Sequence, residues 1–333
     1  MNKIKVEWLT KSPSMYDYYN GIKGFHLKGG RLYEMEALDT LQNDFEVSIN
    51  SNYIKRESGV SYLLKNHKKY IIGDVCILDP YIIAFGKFDL KKRNIAIIHH
   101  IDTSIADKST LGRLFLNRLI SNLKRVDKVI VVSEYWKEFL SNRGIINIEI
   151  IYNSFSMRNY NIKKNQIIEF KKKYKFPTDK PIIYLGQNSH GKGISNVLDV
   201  IDSSKYHLIV TGKTNHPSTS VHTYYFKNDE FPLFLASCDV VITMSTMMEG
   251  WNRTAHEAIL AGTPVIGSGS AGMKELLIKT NQTILKEIDL LNYEIDKSLK
   301  KKSAGLNQER KFLENFDLTY FNLSWKSLVK EFV

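Results

Sequence analysis

One feature restricts this chain more than any other. Short β-branched runs alternate with longer amphipathic stretches over almost its whole length. Parallel strands buried on both faces read as near-continuous apolar runs, and the amphipathic stretches between them read as crossover helices. In the first half the strand runs are Ile4–Leu9, Glu46–Ile49, Ile71–Leu78, Asn94–His99, Lys128–Val132 and Ile148–Tyr152. After Asn153 the alternation pauses at the lysine-rich Ile162–Tyr174, which reads as a solvated helix. It restarts with Pro181–Leu185, Tyr206–Val210, His222–Phe226, Asp239–Thr243 and Pro264–Gly267. At 333 residues the chain is long enough for two domains of ~150 residues each. Two α/β sheets in series are therefore expected, 1–155 and 156–315. The last segment, Phe316–Phe332, carries Phe321, Trp325, Leu328 and Phe332 at helical spacing and should pack on something.

Composition removes several alternatives. An apolar fraction of 43% supports two packed cores and excludes wholesale disorder. Cys76 and Cys238 are the only cysteines, too few for a disulfide scaffold or a Cys-rich zinc module. The net charge of +12 favours anionic ligands, but it is shared between the halves and forms no basic tail of the kind that binds nucleic acid. The start, Met1–Val6, reads as a strand and not as a signal peptide. No apolar run approaches the ~18 residues of a membrane span. A cytoplasmic protein is expected.

In open parallel sheets, ligands sit beyond the carboxyl ends of the strands, so the turns that follow each strand come next. The richest is Met248-Glu249-Gly250-Trp251-Asn252-Arg253-Thr254-Ala255-His256-Glu257-Ala258, which follows the run Asp239–Thr243 and leads to Gly262-Thr263-Pro264-Val265. It enters a short helix, whose free N-terminal amides favour phosphate. A carboxylate beside such amides needs hydrogen-bond donors of its own, and sugar hydroxyls supply them. Thr254-x-x-Glu257 also has the spacing of a capping box, in which Glu257 would only satisfy a backbone N–H.

The block resembles the E-x7-E motif of retaining GT-B glycosyltransferases of glycosyltransferase family 4 (group 1), in phase at Glu249, Gly250, Glu257, Ala258, Gly262, Pro264 and Val265. The resemblance implies two Rossmann-like domains with parallel sheets facing across a cleft. Residues 1–155, joined by a returning C-terminal helix at about 316–333, would take the acceptor, and 156–315 the nucleotide sugar. It also implies that Glu249 contacts hydroxyls of the donor sugar and that Glu257 binds the ribose. The turn Gly250, Trp251, Asn252, Arg253 and Thr254 would approach the diphosphate.

Further segments fit the same family. Gly186-Gln187-Asn188-Ser189-His190-Gly191-Lys192-Gly193 lacks the Walker pattern. It resembles the family's G-R-x4-K-G loop, whose cations neutralise the leaving diphosphate. Lys192 and Gly193 match, while Gln187 stands in place of the arginine. Arg253, Lys213 or His190 could supply the missing charge, with Arg253 the first choice. Gly29-Gly30 before a helix resembles the family's first glycine-rich loop. The family also carries a histidine, often His-Asp, after the fourth strand, which implicates His99 by register and then His100, with Asp102 to orient either. The pair His99-His100 lacks a third ligand at useful spacing and points to opposite faces of a strand, so a metal site is not expected. Neither is a D-x-D metal–diphosphate chelate, because the triplet is absent.

Together these readings imply transfer of a hexose from a UDP-, GDP- or ADP-sugar to the hydroxyl of a saccharide or lipid-linked acceptor, with retention and without a prosthetic group. Leu111–Lys124 has a broad apolar arc flanked by Lys108, Arg113, Arg118 and Arg125, which suits either a core-facing helix or peripheral contact with an anionic membrane. A sugar-nucleotide epimerase of the same double fold and a non-catalytic anion or nucleic-acid binder are the alternatives.

Overall fold

A strand that is apolar on both faces is stable only inside a sheet covered by helices on both sides, and the central strands obey that rule. The computed structural model describes residues 3–22, 29–49, 73–86, 88–189 and 191–332. Two compact units emerge: Met1–Ser154 with Thr319–Val333, and Phe155–Leu318.

The first unit holds β1 (Lys5–Leu9), β2 (Glu46–Ile49), β3 (Val75–Leu78), β4 (Arg93–Ile98), β5 (Lys128–Val131) and β6 (Ile148–Ile150) in a parallel sheet ordered β2-β1-β3-β4-β5-β6. All four residues of β3 are buried, whereas edge strand β2 alternates exposed and buried positions. The helix Leu318–Lys330 packs here through Phe321, Trp325, Leu328 and Val329. Trp325 lies 6.5 Å from Trp8, and Phe321 meets Tyr33 edge-on at 5.0 Å between ring centres. Each large apolar side chain buried this way contributes about 1.5–3 kcal/mol, enough to hold a helix of this length. Phe332 lies beyond that helix and is half-buried, because the turn after Lys330 takes it off the buried stripe.

The second unit holds β7 (Ile182–Gln187), β8 (His207–Thr211), β9 (Val221–Tyr224), β10 (Val240–Thr243), β11 (Val265–Gly267) and β12 (Thr283–Ile284), all parallel in the order β12-β11-β10-β7-β8-β9. Ile183, Val210, Ile242, Ile266 and Ile295 share one core cluster on this sheet. The lysine-rich helix is Lys164–Lys173, and it buries Phe170 against Phe226 at 5.7 Å while its lysines stay near the surface. β12 has only two half-buried residues and gives no apolar run to read. β3 begins at Val75; Met1, Asn2, Ile71, Ile72 and His190 lie outside the described residues. Among the described residues no helix is long and apolar enough to cross a membrane.

Strand order locates the ligand crevice of each unit. In the second sheet the chain runs outward in one direction from β7 and in the other from β10, which are neighbours. In open α/β sheets such a reversal of strand order is where ligands bind, outside the carboxyl ends of the strands. In the first sheet the equivalent point lies between β1 and β3. There the Asp79 carboxylate accepts from the Lys11 amide at 2.7 Å, the Thr10 hydroxyl at 2.9 Å and the Ile82 amide at 2.9 Å.

Candidate functional site

Two loops leave the β7/β10 switch point, and the backbone of each is built to accommodate the other. The loop after β7 turns through Gly186, Gly191 and Gly193, all with positive φ. At Gly193 (φ +68°) a Cβ would come within 1.9 Å of the Met244 carbonyl oxygen, so only glycine fits. The Gly191 carbonyl accepts from the Thr246 amide at 3.0 Å. Through this seam Lys192 reaches the loop after β10, and its Nζ lies 2.7 Å from Glu249 Oε1. The Lys192 side chain is 31% exposed and that of Glu249 15%, so the ammonium is the more accessible of the two. Gln187 stands at the end of β7, half-buried.

Beyond Glu249 the turn is pinned at each position. Asn252 takes a left-handed backbone (φ 72°) and caps the helix Arg253–Leu260 by accepting from the Ala255 amide at 3.0 Å. Its Nδ2 donates to Thr243 Oγ1 at 2.7 Å, tying the helix start to the end of β10. The N-cap is thus Asn252, Thr254 lies inside the helix, and the Thr254/Glu257 capping box does not form. Glu257 instead accepts from the Tyr160 hydroxyl at 3.0 Å. Trp251 is buried and donates from Nε1 to His256 Nδ1 at 3.0 Å. The proton of His256 is therefore on Nε2, which is buried without a hydrogen-bond partner among the described residues. Burial first, and the charge of Arg253 second, push the His256 pKa down to about 3, so the ring is neutral. Arg253 places its guanidinium 4.3 Å from the centre of the Phe155 ring, a cation–π contact. Lys213 is exposed.

In the first unit, Gly29 precedes the helix Gly30–Gln42 with φ 52°. A Cβ on Gly30 would come within 2.7 Å of His99 Cδ2, so the missing side chain lets the ring lie against the helix start. His99 Nε2 is 3.2 Å from Glu34 Oε1, while His100 is exposed. Asp102 accepts from the Ser104 amide at 3.0 Å and the Ser104 hydroxyl at 2.6 Å. Those hydrogen bonds hold its carboxyl below the ordinary range. It is Glu34, not Asp102, that engages His99. The spacing Gly30 to Glu34 is the available signal, because residues four apart share one helix face.

The helix Thr110–Leu123 divides its apolar arc. Leu119 and Leu123 are buried, Phe115 packs on Tyr81 at 5.3 Å, and Leu111 and Leu114 are 42% exposed. Among the described residues no group of three or more His, Cys, Asp or Glu could hold a metal ion.

Residues 165–315 match the family model described as Glycosyl transferases group 1. Over 354 aligned positions the chain is 22% identical to the trehalose synthase of Pyrococcus horikoshii, covering 95% of this chain and 80% of the relative. Among solved structures it resembles the sucrose-phosphate synthase of Thermosynechococcus elongatus, with TM-score 0.77, 15% identity and coverage of 99% of both chains. It also resembles Anabaena HepE in complex with UDP-glucose, with TM-score 0.70, 16% identity and coverage of 98% of this chain and 100% of HepE. The two parallel-sheet units are those of the GT-B fold.

Proposed function

We propose that this chain, whose residues 165–315 match the family model of the group 1 glycosyl transferases, transfers a hexose from a nucleotide diphosphate sugar to an acceptor hydroxyl with retention of configuration. One observation carries the reading: the Lys192–Glu249 ion pair, 2.7 Å long, stands where the β7 and β10 connections diverge. An ammonium there can bind phosphate oxygens, and a carboxylate there can accept from sugar hydroxyls. Charge-assisted hydrogen bonds of both kinds are the strong ones.

Without ligand the two groups satisfy each other. An arriving diphosphate competes for Lys192, and the Glu249 oxygen it releases is then available to the sugar. Departure of the nucleotide leaves negative charge on the β-phosphate, and Lys192 with the amides at the start of Arg253–Leu260 would stabilise that charge. Glu257, held by Tyr160, would accept from the ribose hydroxyls. In this reading no enzyme side chain acts as the nucleophile. The departing phosphate oxygen would take the acceptor proton on the same face of the sugar, which gives retention. By the family resemblance His99 and the Gly29-Gly30 turn would serve the sugar, and a saccharide or lipid-linked hydroxyl would be the acceptor.

UDP-glucose is the first donor to test, because HepE is seen with it. Thermal shift against UDP-, GDP- and ADP-sugars identifies the base, and proton NMR of the product with the best donor reads the anomeric coupling. Retained α configuration from an α-linked donor supports the reading. An inverted product overturns the retaining mechanism, and free sugar isomers formed without acceptor would favour an epimerase.

A further inference from the structure

The helix Gly30–Gln42 offers one face to His99, and three of its residues meet the ring. Gly30 gives it room. Tyr33 is buried and meets it edge-on at 5.0 Å and 84°. Glu34, only 4% exposed, places Oε1 3.2 Å from Nε2. The other carboxylate oxygen of Glu34 accepts from Arg31 Nη1 at 2.5 Å. Burial alone would push this carboxyl up, but the hydrogen bond from His99 and the Arg31 guanidinium outweigh it and hold Glu34 below the ordinary carboxyl range. A charged carboxylate has no proton to give, so the hydrogen of the His99–Glu34 bond must sit on Nε2. Nδ1 is then the nitrogen that Glu34 leaves uncommitted.

We propose that Glu34 is a positioning residue: it fixes His99 as the Nε2–H tautomer and holds the ring so that Nδ1 meets the substrate. The substrate side of this statement rests on the proposed reading of His99 as a residue of the sugar site. An unconstrained imidazole divides itself between two tautomers and rotates about its last torsion, and either freedom would misplace a hydrogen bond to a sugar hydroxyl. Arg31 in turn keeps Glu34 charged, so the order of support runs from guanidinium to carboxylate to imidazole.

The test uses the full chain labelled with 15N at histidine. Long-range 1H–15N spectra report the tautomer directly, and the His99 signals are assigned by their loss in H99Q. Wild-type protein should show the Nε2–H pattern. Glu34→Ala should show mixed tautomers, and Glu34→Asp, which keeps the charge but loses reach, should do the same if the alanine variant fails to fold. Glu34→Gln keeps a carbonyl acceptor and should retain Nε2–H. With the donor chosen above, kcat should fall about ten- to a hundredfold in Glu34→Ala, with donor KM within about threefold and most of the loss recovered by Glu34→Gln. An Nδ1–H pattern in the wild type, or an unchanged tautomer in both Glu34→Ala and Glu34→Asp, overturns the proposal. So does a changed tautomer with unchanged kcat, which would make the contact a structural staple. The spectra need neither donor nor acceptor, so they stand even if the transferase reading fails.

Discussion

The Tyr160 hydroxyl donates to Glu257 Oε1 across 3.0 Å, joining a single 3-10 turn near the start of the second unit to the helix Arg253–Leu260. Tyr160 is itself fixed, buried and with its carbonyl accepting from Arg310 Nη2 at 2.9 Å. If Glu257 binds ribose, Tyr160 sets where its carboxylate stands. That contact is made equally in the ground and transition states, so its loss should appear in KM and not in kcat. A net hydrogen bond is worth ~1–1.5 kcal/mol, so Tyr160→Phe should raise donor KM about five- to tenfold with kcat within about twofold. Steady-state kinetics against the donor check it, and an unchanged KM would remove Glu257 from the ribose site.

Lys192 is expected to matter to the chemical step. Its charge-assisted hydrogen bond to phosphate is worth ~1.5–3 kcal/mol. At 1.36 kcal/mol per decade, Lys192→Ala should lower kcat/KM by about one to two orders of magnitude. Glu249→Gln separates the two halves of the pair: it should weaken turnover while leaving the affinity for free nucleotide diphosphate near the wild-type value. Wild-type kcat/KM in Lys192→Ala would show that the ammonium only serves Glu249.

The loop that carries Lys192 depends on Gly193. A methyl group there would meet the Met244 carbonyl at 1.9 Å and would also have to adopt φ +68°. Gly193→Ala should separate the two loops, break the Lys192–Glu249 pair and lower affinity for nucleotide diphosphates by tenfold or more, with the far-UV spectrum unchanged. Calorimetric titration with free UDP or GDP measures it.

Acid stability follows from two imidazoles, His256 buried and His207 half-buried. Burial and the charge of Arg253 push His256 down to about 3, and burial and the neighbouring His222 push His207 down to about 4. The ordinary value is ~6.5, so the unfolded chain takes up these protons first as pH falls. Their contribution to stability is complete above that value and is lost as pH falls from there toward the folded values. Urea unfolding of the second unit, followed by Trp251 fluorescence, should give a midpoint that declines from pH 6.5 to pH 5. His256→Gln keeps an acceptor for the Trp251 indole and should remove about one proton from that slope. An unchanged slope would place His256 in contact with water.

Eleven of the strands could be read from their β-branched runs, which are uninterrupted in central strands such as β3 and β10 and broken by polar residues in edge strands such as β2 and β9. β12 could not, being two half-buried residues whose pairing with β11 is decided by tertiary position. In the second unit, Glu249, Gly250 and Glu257 stood out since their spacing is contiguous. Tyr160, which holds Glu257, lies 97 residues away and has no local signal. The capping-box reading failed because Asn252, in a left-handed conformation and bonded to Thr243, starts the helix two residues before Thr254. In the first unit, Gly30 and His99 were each visible, but not the reason they belong together. That reason is a carboxylate one helical turn beyond the glycine, and it emerges only when β4 and the helix Gly30–Gln42 are placed side by side.

The central claim is that one crevice at the β7/β10 switch point grips a nucleotide sugar by its pyrophosphate and its hydroxyls. Titration calorimetry of the full chain with UDP-glucose, GDP-mannose and ADP-glucose, repeated with Lys192→Ala and Glu257→Ala, tests it most directly. Saturable binding of one of the three donors, weakened about tenfold or more in each variant, is the expected result. Binding of the best donor with equal affinity by the wild type and both variants would contradict the account.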